Sequence, residues 1–245
     1  MGILDFFSRE KRRLRKVEKR IKRANNKFTP KDYRQIALAE LIDFAREGDA
    51  TAIRGLLARF GVNAEPSSED EKEKEWVSEA LIEIGQPAVK HISKALRSAE
   101  SVNWVQRVLR NIISPEDYKT EILDVLSEFD TEYERNPDRK IQTIMALAEI
   151  PAKDVVEALI PFLEDVDETV RFQTVVALAE HGDELSREPL LETMCGDESI
   201  RVRNQVIEAF VNLGWGTQGY KKKVDAILPR EYKQDKSGKL VKLGS

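Results

Sequence analysis

The sequence predicts an all-α fold in which about five to six helical hairpins are stacked on one another. Three observations predict it. Five segments repeat one helix pattern, an N-cap residue type stands at the same distance before each of them, and another apolar helix pattern precedes each cap. The five repeated segments are residues 76–84, 104–112, 142–150, 173–181 and 205–213.

Four positions of each repeated segment fall on one face of a helix with 3.6 residues per turn, as a buried stripe requires. The columns are Val77, Val105, Thr143, Thr174 and Val206; Ala80, Val108, Ala146, Ala177 and Ala209; Leu81, Leu109, Leu147, Leu178 and Phe210; and Ile84, Ile112, Ile150, His181 and Leu213. Only His181 among them is plainly polar. We interpret it as a buried, hydrogen-bonded imidazole rather than a catalytic base.

The residue six positions before each segment has a side chain that can accept hydrogen bonds from the first turn of a helix. These predicted caps are Asp70, Ser98, Asn136, Asp167 and Ser199. A first helix precedes each cap, at residues 52–60, 88–96, 118–129, 154–163 and 187–194. Prolines 87, 115, 151 and 189 stand near the starts of these helices, where the missing amide costs least. Each repeat is therefore predicted to be an antiparallel helix pair.

The last two repeats carry an Asp/Ser-x-x-Val-Arg element with Ala and Leu/Phe downstream, at Asp167, Val170 and Arg171 and again at Ser199, Val202 and Arg203. In this element the sequence resembles the HEAT and HEAT-like (PBS-lyase-type) repeat family, over roughly residues 50–214. The resemblance implies an α-solenoid, a right-handed superhelix in which the second helices line a concave, ligand-facing wall. It leaves the activity open, because the family is functionally broad.

The predicted concave wall consists of the second-helix positions that face away from the buried stripe. We expect it to bind a partner through Trp76, Glu83, Trp104, Arg107, Asn111, Gln142, Glu149, Gln173, Glu180 and Gln205. Large aromatic side chains in a polar column are candidate anchors, since Trp is enriched among residues that dominate interface energy. The alternative is that the two Trp rings cover a groove between repeats, or that the N-terminal helix packs on them.

The turns within the hairpins are rich in acidic residues, which stacked repeats would place along one edge. They are Glu65, Glu69, Asp70, Glu71, Asp130, Glu132, Glu134, Glu164, Asp165, Asp167, Glu168, Asp197 and Glu198. Helix capping explains part of this pattern. The remainder predicts an acidic ridge that would favour a basic partner.

Residues 1–27 form a basic N-terminal arm with a charge of +8, whereas the remaining 218 residues carry −12. A helix from residue 3 to 24 would place Phe7, Leu14, Val17 and Ile21 on one stripe. Its cations are Lys11, Arg12, Arg15, Lys16, Lys19, Arg20, Lys22 and Arg23. Three interpretations remain open: a cap on the first repeat or a protein-docking element, an anionic membrane surface, and, less favoured, nucleic acid.

No feature of the sequence indicates a cofactor or a metal. Cys195 is the only cysteine, no apolar run approaches a membrane span, and we expect a cytoplasmic protein that could be peripheral to the membrane. Gly214, Gly216 and Gly219 match a dinucleotide-binding motif literally, but a helix precedes them where that motif needs a strand. We interpret Gly214 as a helix C-cap.

The sequence thus divides into the arm, a repeat region at 28–228, and a tail at 229–245 that fits either a small hairpin or a disordered end. The favoured function is a non-catalytic protein–protein interaction scaffold or adaptor that binds a partner segment on the concave face. The rival is a HEAT-like DNA-binding protein or an enzyme of the alkylpurine DNA glycosylase type. A bilin-lyase-like function lacks support from His or Cys. The oligomeric state is not predicted.

Overall fold

The computed structural model describes residues 3–99 and 101–243, with side chains from residue 10 onward. It divides into two compact units, residues 1–121 (the N-terminal unit) and residues 122–245 (the C-terminal unit). The helices of the N-terminal unit are α1 (Ile3–Ala24), α2 (Lys31–Arg46), α3 (Ala50–Arg59), α4 (Ser67–Ile84), α5 (Gln86–Leu96) and α6 (Asn103–Ile112). Helix α7 (Pro115–Leu126) crosses the boundary between the units.

The C-terminal unit continues the alternation of first and second helices. Its elements are α8 (Asp138–Ala148), α9 (Lys153–Leu159) with a 3-10 turn at Ile160–Glu164, α10 (Glu168–His181), a 3-10 turn at Glu184–Ser186, α11 (Arg187–Gly196), α12 (Ile200–Leu213), α13 (Lys221–Ile227), β1 (Tyr232–Gln234) and β2 (Leu240–Lys242). Within this unit α10 packs between α8 and α12, and α11 packs on α12. Within the N-terminal unit α4 packs on α2 and α6, and α3 packs on α5. The predicted all-α fold of stacked helical hairpins is confirmed.

Three of the four predicted columns form the core of both units, whereas the column that begins at Ile84 is half-buried at all five positions. The columns that begin at Val77 and Leu81 are buried in all five second helices, and the column that begins at Ala80 is buried in four of them. A further buried column, which the sequence analysis assigned to no face, comprises Ser78, Gln106, Ile144, Val175 and Ile207. Each second helix is therefore enclosed on a wider face than the apolar pattern predicts.

Two of the five predicted N-caps are confirmed. The Asp167 carboxylate accepts the amides of Thr169 and Val170, and the Ser199 hydroxyl accepts the amide of Val202. The prediction is wrong for Asp70, because α4 begins three residues earlier and takes Asp70 into its interior. It is also wrong for Ser98, since α6 begins only at Asn103. Asn136 accepts the amide of Asp138 one position before the cap.

Gly214 ends α12 in the left-handed conformation, with φ at 65°. This conformation costs glycine little and is the usual end of a helix. The helix C-cap predicted from the sequence is confirmed. In the tail, residues 232–242 form a two-stranded antiparallel hairpin in which Lys233 pairs with Val241.

Helix α1 packs on both α2 and α3. Val17 and Ala24 are completely buried there, and Asn25 donates a 2.9 Å hydrogen bond to the Gly55 carbonyl. Leu14, by contrast, is 45 % exposed, and the side chain of Phe7 lies outside the described residues. The central part of the predicted stripe is thus already occupied by the chain's own helices.

The close approach of α1 to α3 depends on Gly55. A β-carbon at this position would lie 2.8 Å from Cδ1 of Ile21 and closer still to its Cγ1. We expect Gly55→Ala to lower the free energy of unfolding by about 1–3 kcal/mol, because α1 must shift away from α3. Urea unfolding measures this, and limited proteolysis between α1 and α2 reports the loosened helix. Gly61→Ala is the matched control, since its β-carbon would meet only a carbonyl oxygen at 3.7 Å. Equal behaviour of the two variants would contradict the packing of α1.

Candidate functional site

The two tryptophans of the predicted wall lie at equivalent positions on the neighbouring helices α4 and α6. Their environments differ. Trp76 is 37 % exposed, whereas Trp104 is half-buried and stacks on Phe60, with ring centroids 5.9 Å apart and an angle of 9° between the planes. Trp104 therefore has the covering role that the alternative interpretation gave to both tryptophan rings. Trp76 keeps the exposure that a binding anchor needs.

Arg107 is fixed between the two helices. Its guanidinium donates to the Glu75 carboxylate at 3.0 Å and lies over the Trp104 ring, 5.1 Å from the centroid. Asn111, one turn further along α6, donates its side-chain amide to the Arg107 carbonyl at 2.7 Å. Glu75 adjoins Trp76 in sequence, so the ion pair ties Arg107 to the part of α4 that presents Trp76. The result is a platform of aromatic and planar cationic groups with restricted rotamers.

Acidic groups surround this platform on α4. Glu75, Glu79 and Glu83 are all exposed, and Glu83 accepts a 2.7 Å bond from Arg46 of α2. Arg107 and Arg46 are both engaged with glutamates of α4. A phosphate backbone would meet carboxylates here, which disfavours a nucleic-acid interface on this face.

The predicted wall residues of the C-terminal unit lie on the neighbouring helices α8, α10 and α12. Gln142, Gln173 and Gln205 are half-buried, while Glu149 and Glu180 are exposed. Met145 of α8 is 50 % exposed and adds an apolar side chain to this polar face. The two sets of wall residues belong to different units.

The acidic ridge is a wrong prediction at three of its members. In the N-terminal unit Asp70 is buried, and it pairs with Arg59 and, at 2.8 Å, with Lys74. Burial opposes ionisation of Asp70, but its hydrogen bonds from Lys74, Arg59 and the Ala64 amide outweigh this and hold its pKa below the ordinary value. Asp70 therefore belongs to a buried ionic cluster and not to a solvated edge.

Glu73 completes this buried cluster. It accepts bonds from Arg59 of α3 at 2.9 Å and from Arg34 of α2 at 2.6 Å, and all three side chains are at most 2 % exposed. The cluster links α2, α3 and α4 through buried ion pairs that solvent does not screen. Such groups are strongly coupled, because the loss of one partner leaves another charge buried and uncompensated.

The C-terminal unit neutralises the other two wrongly predicted ridge residues. Asp165 is buried and accepts a 2.8 Å bond from the equally buried Lys140. Asp197 accepts two bonds from Arg171, whose pKa is raised by those bonds against the opposing effect of burial. The Asp167 carboxylate accepts the first amides of α10 as its N-cap. Only the exposed members of the predicted ridge, such as Glu164 and Glu198, remain to support a basic partner.

The cations of α1 divide into two sets. Arg13 lies over the Phe44 ring at 5.4 Å, Arg20 pairs with Glu40, and Arg23 lies over the Tyr33 ring at 5.9 Å, so these three contact α2. The others, Lys11, Arg12, Arg15, Lys16, Lys19 and Lys22, are exposed. Because Val17 and Ala24 are buried against the protein, an interaction of the described part of α1 with a membrane would depend on charge and not on this stripe.

The imidazole of His181 and the thiol of Cys195 have the environments of structural side chains. His181 Nε2 lies 3.2 Å from the Leu147 carbonyl, which confirms the hydrogen-bonded imidazole predicted from its column. Burial raises the pKa of the half-buried Cys195 thiol, although Lys223 opposes the shift, so the reactive thiolate is disfavoured.

Within residues 10–99 and 101–243, no three His, Cys, Asp or Glu side chains are grouped as metal ligands. In the described helices, none combines the length and apolar character of a membrane span.

A family model described as HEAT repeats matches residues 122–213. Residues 122–213 therefore carry HEAT repeats. The match covers α8 to α12 and the C-terminal end of α7, the region in which the sequence carries its clearest repeats. HEAT repeats generally mediate protein–protein interaction and typically serve as non-catalytic scaffolds. No curated protein matches the chain significantly.

Proposed function

We propose that this protein is a non-catalytic adaptor that binds a segment of a partner protein across α4 and α6, with Trp76 as the anchor. The observation that supports this most is the contrast between the two tryptophans. Trp104 is packed on Phe60 and helps to hold Arg107, while Trp76 presents its ring to solvent on the adjoining helix. A rigid surface with one exposed aromatic side chain loses little entropy on binding.

The partner segment is expected to place an apolar group on Trp76 and hydrogen-bond acceptors near Arg107. A cationic group in the segment would meet Glu79 and Glu83, which are exposed on the same helix as Trp76. An interface of this kind combines an aromatic and arginine centre with a polar rim, as stable protein interfaces do.

Site-specific photo-cross-linking in the native cell tests the location of the interface. A photoreactive amino acid replaces Glu79, one turn after Trp76, and in a control protein it replaces the exposed Glu188 of α11. We expect a discrete cross-linked product from position 79 that is absent from position 188, and loss of that product when Trp76→Ala is added. Products that are identical at both positions, or that persist undiminished with Trp76→Ala, would exclude this surface.

The stability of the tryptophan variants separates binding from folding. Trp104→Ala removes a stacked ring and is expected to lower the free energy of unfolding by at least about 1 kcal/mol. Trp76→Ala is expected to change it by less than that, because the ring is partly exposed. A Trp76→Ala protein that unfolds as readily as Trp104→Ala would show that Trp76 is a core residue.

A further inference from the structure

A second candidate surface lies on the first helices α3 and α5, which the proposed adaptor surface does not use. A cavity of about 400 Å³ opens between them. Its apolar lining comes from Leu57, Ala58, Ala95 and Ala99, with Gly61 at one end. The volume lies within the range of about 300–1,000 Å³ that is usual for ligand pockets. Small side chains on both helices leave this space, so it is open to one apolar group of a ligand.

The rim of the cavity is basic. Arg54 stands on α3, and His91 and Lys94 stand on α5. Helices α3 and α5 contain no acidic residue at all, which is unusual in a chain with a net charge of −4. Among the described residues no carboxylate forms an ion pair with Arg54, Lys90 or Lys94. In sequence, Glu100 is one acidic residue between the lining residues Ala99 and Ser101, beside three cations, so an excess of positive charge is left for a ligand.

His91 lies among positive charges. Burial lowers its pKa, and the nearby charges of Arg54, Lys90 and Lys94 lower it further. Three permanent cations on two helices exceed what one carboxylate can neutralise. A ligand that carries several carboxylates along its length fits this arrangement better than a singly charged amphiphile.

We propose that the groove between α3 and α5 binds an acidic peptide segment that inserts one apolar side chain into the cavity and places carboxylates against Arg54, Lys90 and Lys94. The peptide contacts exposed residues, since Arg54, Ala58 and Lys94 are all accessible. This site is independent of the adaptor surface on α4 and α6. Its loss would leave binding at Trp76 unchanged.

Nuclear magnetic resonance titration of the full chain tests this proposal, with a short peptide that has a central leucine flanked by aspartates as the probe. We expect shift changes at the amides of Ala58, His91 and Ala95, an increase in the pKa of His91, and binding that weakens with salt. The same peptide with asparagine in place of aspartate is expected to bind at least about tenfold more weakly. No shift changes at these amides, or equal binding of the two peptides, would overturn the proposal.

Matched variants separate the cavity from the charges. Ala58→Leu fills the mouth of the cavity, and Lys94→Glu reverses one charge of the rim; each is expected to weaken binding of the aspartate peptide at least about tenfold. Ala226→Leu and Lys222→Glu make the same changes at exposed positions of α13 and are expected to leave binding unchanged. Octanoate, a singly charged amphiphile, is the competing probe. Octanoate binding as tight as that of the peptide would overturn the assignment to a peptide.

Discussion

Replacing Arg59 with methionine is expected to lower the free energy of unfolding of the N-terminal unit by about 3–5 kcal/mol. Arg59 is completely buried and donates to both Asp70 and Glu73, as well as to the Val62 carbonyl at 2.8 Å. Methionine fills most of the volume but leaves two buried carboxylates short of a partner. Urea unfolding followed by tryptophan fluorescence and circular dichroism measures the loss.

The matched control is Arg54→Met on the same helix. Arg54 is exposed and donates only to the Thr51 hydroxyl among the described contacts, so we expect a change within about 0.5 kcal/mol. If Arg59→Met were no more destabilising than Arg54→Met, the buried cluster would not contribute to stability as its geometry implies.

The destabilisation caused by Arg59→Met is expected to depend on pH. The pKa of Asp70 is lowered from its ordinary value of 3.8 in the folded protein, so its contribution to stability is fully present above that value and is lost as pH falls through the lowered pKa. Arg59→Met removes one cause of the lowering. The stability difference between wild type and variant is therefore expected to shrink as the solution is acidified below about pH 4.

Replacing Lys140 with methionine is expected to cost the C-terminal unit about 3–5 kcal/mol. The Lys140 ammonium reaches Asp165 at 2.8 Å and the Asp130 carbonyl at 2.8 Å, while both charged side chains are at most 1 % exposed. Removal of the cation leaves the Asp165 carboxylate buried without its counter-charge. Lys153→Met, on the exposed side of α9, is the control and is expected to change stability by less than about 0.5 kcal/mol.

A double variant distinguishes an uncompensated charge from lost packing. Asp165→Asn added to Lys140→Met removes the carboxylate charge while an amide oxygen remains to accept the Asp167 amide, now bound at 2.8 Å. We expect the double variant to recover at least about 1 kcal/mol of the loss. A double variant that is less stable than Lys140→Met alone would show that charge burial is not the cause.

The apolar part of the fold could be predicted from the sequence because burial follows a helical period that is visible in one chain. Val77, Leu81 and their equivalents recur at that period, and Asp167 and Ser199 precede helices at the spacing of a cap. The exact start of α4 could not be predicted in this way. Residues 69–75 are all charged and carry no apolar period, so Asp70 fitted a cap as well as it fitted a helix interior.

The buried charges could not be predicted, because charged residues are usually solvated and their partners are distant in sequence. Glu73 and Arg34 are separated by 39 residues, and Asp165 and Lys140 by 25. Only the Asp70–Lys74 pair has a local spacing of four residues that could have signalled a contact within one helix. The column of Lys74, Lys140 and Arg171 shows that one position of the repeat holds a buried cation in several second helices.

The matching positions of the two tryptophans were predictable from the sequence, whereas the contacts of each ring were not. The alignment placed Trp76 and Trp104 at equivalent positions, and the structure has them on neighbouring helices. The stacking of Trp104 depends on Phe60, which directly follows α3 and lies outside the aligned column. The sequence analysis missed the basic cavity between α3 and α5. The sequence indicates it only by the absence of acidic residues from these two helices, which were considered only as packing partners.

The most direct test of the adaptor function is a calorimetric titration of the cross-linked partner, once purified, into wild type and into Trp76→Ala. We expect the affinity for the partner to fall at least about tenfold in Trp76→Ala, while the unfolding transition of the variant stays close to that of wild type. Equal affinities for the two proteins would contradict this expectation, because an exposed anchor on α4 cannot be removed without a loss of binding energy.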